Sequence, residues 1–204
     1  MSRLTRRLLL AGLAVTPAAC SLLPTGGPAP KLYTLTPVAK FPPGAPVSWQ
    51  LLVEVPASTA ALDSERIALK RSPTTVDYFA DAAWTDHAPL LVQELIVQSF
   101  EDSGRIAAVA RQSLSLSADY ILDPELRHFE ANYAGAADNA PPEIHVQLDA
   151  RLVKRPDRAI IANHSFDVTV RAAANSVPAV VDAFNAAFHQ VVRPLVEWTL
   201  GAAR

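Results

Sequence analysis

Residues 144–171 read IHVQLDARLVKRPDRAIIANHSFDVTVR, and this stretch decides the fold because apolar and polar positions alternate on both sides of a turn. A period of two places successive side chains on opposite faces of a β-strand, so one face contacts a core and the other faces water. Arg155-Pro156-Asp157-Arg158 is a turn sequence, which predicts an antiparallel hairpin. The predicted core-facing positions are Ile144, Val146, Leu148, Ala150, Leu152, Ile160, Ala162, His164, Phe166, Val168 and Val170.

Shorter β-prone segments precede this hairpin. Ile106–Ala110 and Tyr120–Tyr133 are the expected partner strands, and Pro124 predicts an edge position or a bulge in the second of them. The segment 131–142 is expected to be an exposed loop. Earlier runs, separated by turn residues, predict a meander at the start of the domain: Leu32–Leu35, Trp49–Val55, Ile67–Lys70 and Val76–Ala80.

An internal helix is predicted between Asp86 and Gly104. Asp86 is a suitable N-cap, Pro89 falls in the first turn where its missing N–H is harmless, and Gly104 is a suitable stop. Leu91 and Leu95 repeat at helical spacing within it. One face of this helix should therefore be buried.

A second helix is predicted at the C-terminal end, with Pro178 in its first turn and a kink at Pro194. Burial of each apolar side chain contributes about 1.5–3 kcal/mol, so the helix should dock on the sheet. The alternative is that its apolar stripe forms a coiled coil or binds a partner. The helix is under four heptads long, however, which is short for an independent coiled coil. Its apolar stripe consists of Val177, Val181, Phe184, Phe188, Val191, Leu195 and Trp198.

Together these elements predict an α+β fold: a mainly antiparallel sheet packed by an internal helix and a long C-terminal helix. We expect a single domain over residues 31–204, because the chain is long enough for one substantial core and shows no internal repeat.

The N-terminal segment, residues 1–19, is typical of a lipoprotein signal peptide. Arg3, Arg6 and Arg7 precede a short apolar run, and Ala18-Ala19 lead to Cys20. The run is far below the roughly 20 residues that a permanent membrane-spanning helix needs. Cleavage would leave Cys20 at the new N-terminus, and Thr5-Arg6-Arg7-Leu8-Leu9 resembles a twin-arginine export signal, so either export route is open.

Cys20 is the chain's single cysteine, which excludes an intramolecular disulfide and suits a thiol used for lipid attachment, with a palmitate-type acyl chain. The alternative is a soluble secreted protein whose cysteine is incidental. Residues 20–30 mix Pro and Gly without periodicity and predict a tether that spans at most about 35 Å. Ser21 after the cysteine resembles the outer-membrane sorting type, which favours outer over inner membrane.

The charge balance disfavours nucleic acid as a partner. Without the three leader arginines, 18 basic residues become 15 against 20 acidic ones, a net charge of −5. No basic run remains that could follow phosphates or an anionic membrane surface, so membrane contact should come through the lipid anchor.

Motifs of common enzyme classes are absent from the sequence. It contains no HExxH, GxSxG, Walker loop, GxGxxG or cysteine pair, and we expect no catalytic residue, metal or cofactor. The five histidines are dispersed, and only His164 is expected to be buried, as a hydrogen-bonded core residue rather than a ligand or base. A His164, Ser165 and Asp167 triad fails because neighbouring strand residues point to opposite faces.

The order of several short motifs resembles the ABC-type transport auxiliary lipoprotein family, which includes PqiC. The resemblance covers about Lys31 to Leu200 and implies a non-enzymatic lipoprotein that accompanies a transporter built from an ABC ATPase, a permease and a mammalian-cell-entry (MCE) protein. Such transporters move lipids across the envelope. The motifs that carry it are Cys20, Tyr33-Thr34-Leu35, Leu51–Pro56 (LLVEVP), Leu62-Asp63, Arg66-Ile67, Tyr78, Trp84 and Leu90-Leu91.

Three functional hypotheses follow. The first is a periplasm-facing, lipid-anchored auxiliary subunit of an MCE-type lipid transport system, with Tyr78 and Trp84 as candidate partner contacts and core packing as their alternative role. The second is a structural or assembly lipoprotein of another envelope machine. The third is an envelope hydrolase that uses unrecognised residues. A homo-oligomer is compatible with the first.

Overall fold

The structure is a computed structural model that describes residues 29–111, 118–137 and 139–203. The predicted signal peptide, Cys20 and most of the predicted tether lie outside the described residues. The strands and helices in chain order are β1 (Lys31–Tyr33), β2 (Val47–Val53), β3 (Ala57–Ser58), β4 (Arg66–Ser72), β5 (Thr75–Trp84), α1 (Ala88–Ser103), β6 (Ile106–Ala110), β7 (Tyr120–Asn132), β8 (Glu143–Lys154), β9 (Ala159–Arg171) and α2 (Val177–Ala202).

The strands form one mixed sheet around β7, and its long pairings are antiparallel. One edge of β7 meets β2, β3 and β4 in turn, all parallel, while its other edge pairs with β8 along nearly its full length. β9 follows β8 as an antiparallel edge strand, and β5 and β1 extend the sheet beyond β4. The two helices pack on this sheet, which confirms the α+β prediction.

The predicted hairpin is confirmed as β8 and β9, joined by the turn at residues 155–158. On β8 the inward side chains are buried and the outward ones are only partly so, as the alternation requires. On β9 only Phe166 is buried, because β9 is the edge strand and has no neighbouring strand on its outer side. His164 is exposed, so its predicted burial is wrong; its ring lies 4.6 Å from that of Phe166 and 6.1 Å from that of Trp198.

The predicted meander is also wrong. Only β4 and β5 form a hairpin, whereas β1 pairs with β5 and β2 pairs with β6 and β7, all in parallel. A meander needs sequential antiparallel neighbours, and the parallel pairs here join segments that are distant in the chain. The expected partnership of Ile106–Ala110 with the hairpin fails for the same reason, since β6 pairs with β2.

Pro124 lies inside the central strand β7 and not at an edge. It falls between Leu122, which pairs with β2, and Glu125, which pairs with β3, so the partner strand changes where the N–H is missing. A register irregularity does occur in β7, between Leu126 and His128.

Helix α1 begins at Ala88 with Pro89 in its first turn, and it ends at Gly104, whose φ of 61° is left-handed. Glycine adopts that conformation without a Cβ clash. The N-cap is His87 and not the predicted Asp86, whose Oδ1 accepts the His87 N–H at 2.7 Å. The carboxylate therefore supports the residue that caps the helix.

Helix α2 runs through Pro194 to Ala202 and packs on β8 and β9, so the packing interpretation of its stripe is confirmed. Phe184 is fully buried, and its ring lies 5.2 Å from Trp84 and 5.0 Å from Phe129. These three aromatic rings join α2 to β5 and β7. Aromatic pairs at such distances add about 0.5–1.5 kcal/mol each beyond area burial.

Candidate functional site

The outward face of β7, β8 and β9 is polar and carries a row of paired charges. Ion pairs lie along this face, both within and between strands, and Glu130, near the end of β7, is its most buried polar residue. The pairs are Arg151 with Asp123 at 2.9 Å, Arg127 with Glu125 at 3.3 Å and with Asp149, and Arg171 with Glu143 at 2.7 Å.

Glu130 is a buried carboxylate, 3% exposed, on this otherwise accessible face. Its Oε1 accepts from Lys70 Nζ at 2.9 Å and from His128 Nδ1 at 2.6 Å, and its Oε2 accepts the Phe129 N–H at 2.8 Å. Burial by itself raises the pKa of Glu130, but these donors together outweigh it and leave the pKa lowered. The group is therefore a stable anion at neutral pH.

The imidazoles of His128 and His145 stack beside Glu130, with ring centroids 4.0 Å apart and planes inclined by 15°. His145 lies directly opposite Glu130 in the β7–β8 pairing. His145 Nε2 lies 2.8 Å from Asp167 Oδ1, and since a carboxylate only accepts, that nitrogen carries the hydrogen. One nitrogen of each ring and one oxygen of Glu130 lie within 4.8 Å of one another, so these three side chains could hold a metal ion.

Asp149 forms a second polar centre further along β8. Its Oδ1 accepts from Ser165 Oγ at 2.5 Å and from Gln147 Nε2 at 3.2 Å, and Arg127 pairs with its Oδ2. Burial raises the pKa of Asp149, while the three donors lower it by more, so the net pKa is lowered. The Ser165 hydroxyl thus donates to Asp149, and the ring of His164 packs against Phe166 instead.

A cleft of about 810 Å³ lies where β4, β5 and β7 meet the loop after β7. Tyr78 and Tyr133 line it together with Arg71 and Asn175. Tyr133 Oη donates to Asn175 Oδ1 at 2.9 Å, and the Arg71 guanidinium lies 5.4 Å from the Tyr133 ring centroid. Burial raises the pKa of Tyr133 although Arg71 lowers it, so the phenol stays neutral.

The two candidate contact residues, Tyr78 and Trp84, differ in their exposure to solvent. Tyr78 is half-buried at the cleft, where Arg66 stacks 3.9 Å from its ring centroid and its hydroxyl donates to the Ala61 carbonyl at 3.1 Å. Trp84 is 1% exposed and lies in the core, which is the packing alternative. The third predicted site residue, Cys20, lies outside the described residues.

The group of His128, Glu130 and His145 was not predicted. The two histidines are 17 positions apart in the chain, far beyond the short spacing of a local metal-binding pair. The available signal was His128-x-Glu130, two residues on one face of a strand. The partner became visible only when the register of β7 and β8 placed His145 opposite Glu130.

The fold defines an α+β domain in which one mixed sheet supports two helices. No helix in residues 29–111, 118–137 and 139–203 is long and apolar enough to cross a membrane. The chain belongs to the family of ABC-type transport auxiliary lipoprotein components, whose model matches residues 33–196. That family consists of lipoproteins of the cell envelope that are associated with ABC transport systems.

Two solved structures resemble the fold of this chain. A crystal structure of a Xanthomonas campestris protein is 35% identical, covers 84% of this chain and 95% of that chain, and has a TM-score of 0.78. A second solved structure, of an uncharacterised protein, has a TM-score of 0.65 at 13% identity over 83% of this chain and 97% of that chain, which shows the fold alone.

A curated relative from Bradyrhizobium diazoefficiens, an uncharacterised protein, is 29% identical over 177 residues, which is 86% of this chain. The match spans only 46% of that relative, so the chain covers about half of its length.

Proposed function

We propose that this chain is the lipid-anchored auxiliary subunit of an ABC-type transporter that moves lipid between envelope membranes with an MCE-family protein. The observation that carries the proposal is the family match over residues 33–196. The ABC ATPase and the permease are the other expected partners. The role is non-catalytic: the domain contacts partner proteins, and transport energy comes from the ATPase.

The anchor in this proposal is Cys20. Residues 1–19 act as a lipoprotein signal peptide, the Cys20 thiol carries the lipid, residues 20–30 form the tether, and residues 31–204 form the auxiliary domain. The net charge of −5 in the mature chain supports attachment through lipid and not through charge. The domain faces the periplasm, and Ser21 favours the outer membrane.

Mass spectrometry of the native protein tests the anchor. The expected N-terminal peptide begins at Cys20 and carries the mass of a diacylglycerol and a fatty acid, and the protein fractionates with membranes. A Cys20→Ser variant should lose both properties. An unmodified Cys20 on a protein that fractionates with the soluble periplasm would contradict the anchor.

Affinity purification in native detergent tests the partners. The expected result is co-purification of the MCE-family protein with the permease and ATPase, and the Cys20→Ser variant tests whether anchoring is needed. Recovery of a different envelope complex without those subunits would contradict the proposal and favour an assembly role. The mass of the purified complex also gives the number of copies of this chain.

Tyr78 is the candidate contact that the structure leaves accessible. A photo-crosslinking residue at position 78 should capture the MCE-family protein from the cleft. The matched control is position 32, because Leu32 is 59% exposed on the edge strand β1. Capture from position 32 and not from position 78 would place the contact elsewhere on the domain.

A further inference from the structure

We propose that His128, Glu130 and His145 form a binding site for a divalent transition metal ion, with Zn²⁺ as the best-suited ion. The outward face of the sheet defines this site by its geometry, independently of the transport function.

Two features of the sheet bring the donors together. The register irregularity between Leu126 and His128 shifts the end of β7, and His128 and Glu130 then project from the same face two residues apart. The antiparallel pairing sets His145 opposite Glu130. Three metal-binding side chains from two strands thus share one place, with one donor atom of each within 4.8 Å of the others.

The chemical types of the three donor groups indicate which metal ion the site prefers. Two imidazoles with one carboxylate suit Zn²⁺ and the other borderline ions of the first transition row, whereas Ca²⁺ and Mg²⁺ prefer oxygen ligands throughout. Tetrahedral Zn²⁺ holds its ligands at about 2.0–2.2 Å, which places neighbouring donors about 3.3 Å apart. The three donor atoms, now within 4.8 Å of one another, would adjust to this spacing when the ion binds, and water completes the coordination.

Outer partners already orient the ligands. Asp167 fixes the hydrogen of His145 on Nε2, which leaves Nδ1 as the lone-pair nitrogen. The Phe129 N–H holds the Glu130 carboxylate through Oε2. Such second-layer hydrogen bonds are typical of metal sites, and their loss weakens metal binding by about 10–100-fold.

The site is open to solvent and contains one opposing charge. The side chains of His128 and His145 are 33% and 24% exposed, so an ion can reach both rings, while Glu130 is buried. Lys70 Nζ lies 2.9 Å from Glu130 Oε1 and repels an incoming cation. Removal of this ammonium should therefore strengthen metal binding.

Isothermal titration of the metal-free full chain with ZnCl₂ tests the proposal. A Cys20→Ser background removes the only thiol, and we expect one equivalent of Zn²⁺ to bind. Binding should weaken at least about tenfold in His128→Ala and His145→Ala. His87→Ala and His164→Ala are the matched controls, because those histidines lie outside the site, and they should bind as the parent does.

Two further variants address the site without removing a ligand. Asp167→Asn should weaken binding about tenfold, and Lys70→Met should tighten it about tenfold by removing like charge. Circular dichroism confirms that each variant is folded. Titration with Co²⁺ adds visible absorption bands whose intensity reports the coordination geometry of the bound ion. Absence of Zn²⁺ binding, or binding that is unchanged in both His128→Ala and His145→Ala, would overturn the proposal.

Discussion

The two faces of the sheet formed by β7, β8 and β9 share one backbone but differ in the interactions that stabilise their side chains. The inward face is mostly apolar and is buried along β7 and β8, and it packs on α2 through side chains such as Leu148, which is 1% exposed. The outward face is polar, and its side chains pair with each other across the strands. Folding free energy should therefore come from the inward face, which leaves the outward face available for binding.

The sharpest test of that difference removes an aromatic ring of α2 that packs on the inward face. Phe184→Ala should lower the free energy of unfolding by about 3–5 kcal/mol, because it deletes a fully buried side chain and leaves a cavity beside Trp84 and Phe129. Urea unfolding followed by tryptophan fluorescence measures it. The control Ile160→Ala, at a side chain 59% exposed on β9, should change stability by less than about 0.5 kcal/mol. Equal losses in both variants would remove the distinction between the faces.

Lys70→Met tests the exception on the outward face, where the buried Glu130 depends on its donors. Loss of the ammonium at 2.9 Å should lower the free energy of unfolding by about 1–2 kcal/mol, since Lys70 is itself 26% exposed and partly solvated. Lys154→Met, at an exposed lysine at the end of β8, is the matched control and should have almost no effect. Urea unfolding compares the two. Unchanged stability of Lys70→Met would mean that solvent or the His128 donor alone satisfies Glu130.

The inward face was largely predictable from sequence, since it depends on local periods. The alternation on β8 and the stripe on α2 each mark one face without knowledge of the partner. Strand pairing was not predictable in the same way. The pairing of β1 with β5, and of β2 with β6 and β7, depends on tertiary contacts that no local pattern encodes. The predicted burial of His164 was wrong for a related reason. The alternation assigns its side chain to the inward face correctly, but β9 is the edge strand of the sheet, where the side chain stays exposed.

The candidate metal site could be predicted only in part. His128 and Glu130 share one strand face at a spacing visible in the sequence, but the third donor, His145, requires the register of β7 against β8. That register contains an irregularity just before His128. One residue of slip exchanges inward and outward faces, so a small error in placing the irregularity removes the site.

A smaller effect should come from Asp149, which is stabilised by hydrogen bonds and not by deep burial. Asp149→Asn should lower the free energy of unfolding by about 0.5–1.5 kcal/mol at pH 6. Burial raises the pKa of Asp149 and the donors Ser165, Gln147 and Arg127 lower it by more, to below its ordinary 3.8. A lowered pKa means that the stabilisation is present above the unfolded-state pKa and is lost as pH falls through the folded-state pKa.

Urea unfolding at pH 6 and at pH 3 should therefore give a difference between the parent and Asp149→Asn that shrinks on acidification. Asp77→Asn is the matched control, because Asp77 is exposed on β5 and forms no ion pair with other described residues. A difference that stays constant between the two pH values would show that Asp149 acts through shape and not through its charge.

The smallest effect concerns a charge pair away from both faces, at the start of α1. The hydrogen bond with Asp63, 2.8 Å from His87 Nδ1, raises the pKa of His87 above 6.5, slight burial lowers it, and the charges of Asp63, Glu65 and Asp86 raise it further. A raised pKa means that this contribution is complete below pH 6.5 and disappears as pH rises through the folded-state pKa. Both side chains are well exposed, so NMR titration of the His87 ring is the suitable measurement. Asp63→Asn should return the His87 pKa toward 6.5, whereas Asp86→Asn, which removes a charge that does not bond the imidazole ring, should shift it less. Equal shifts in both variants would mean that general surface charge, and not the Asp63 hydrogen bond, sets the His87 pKa.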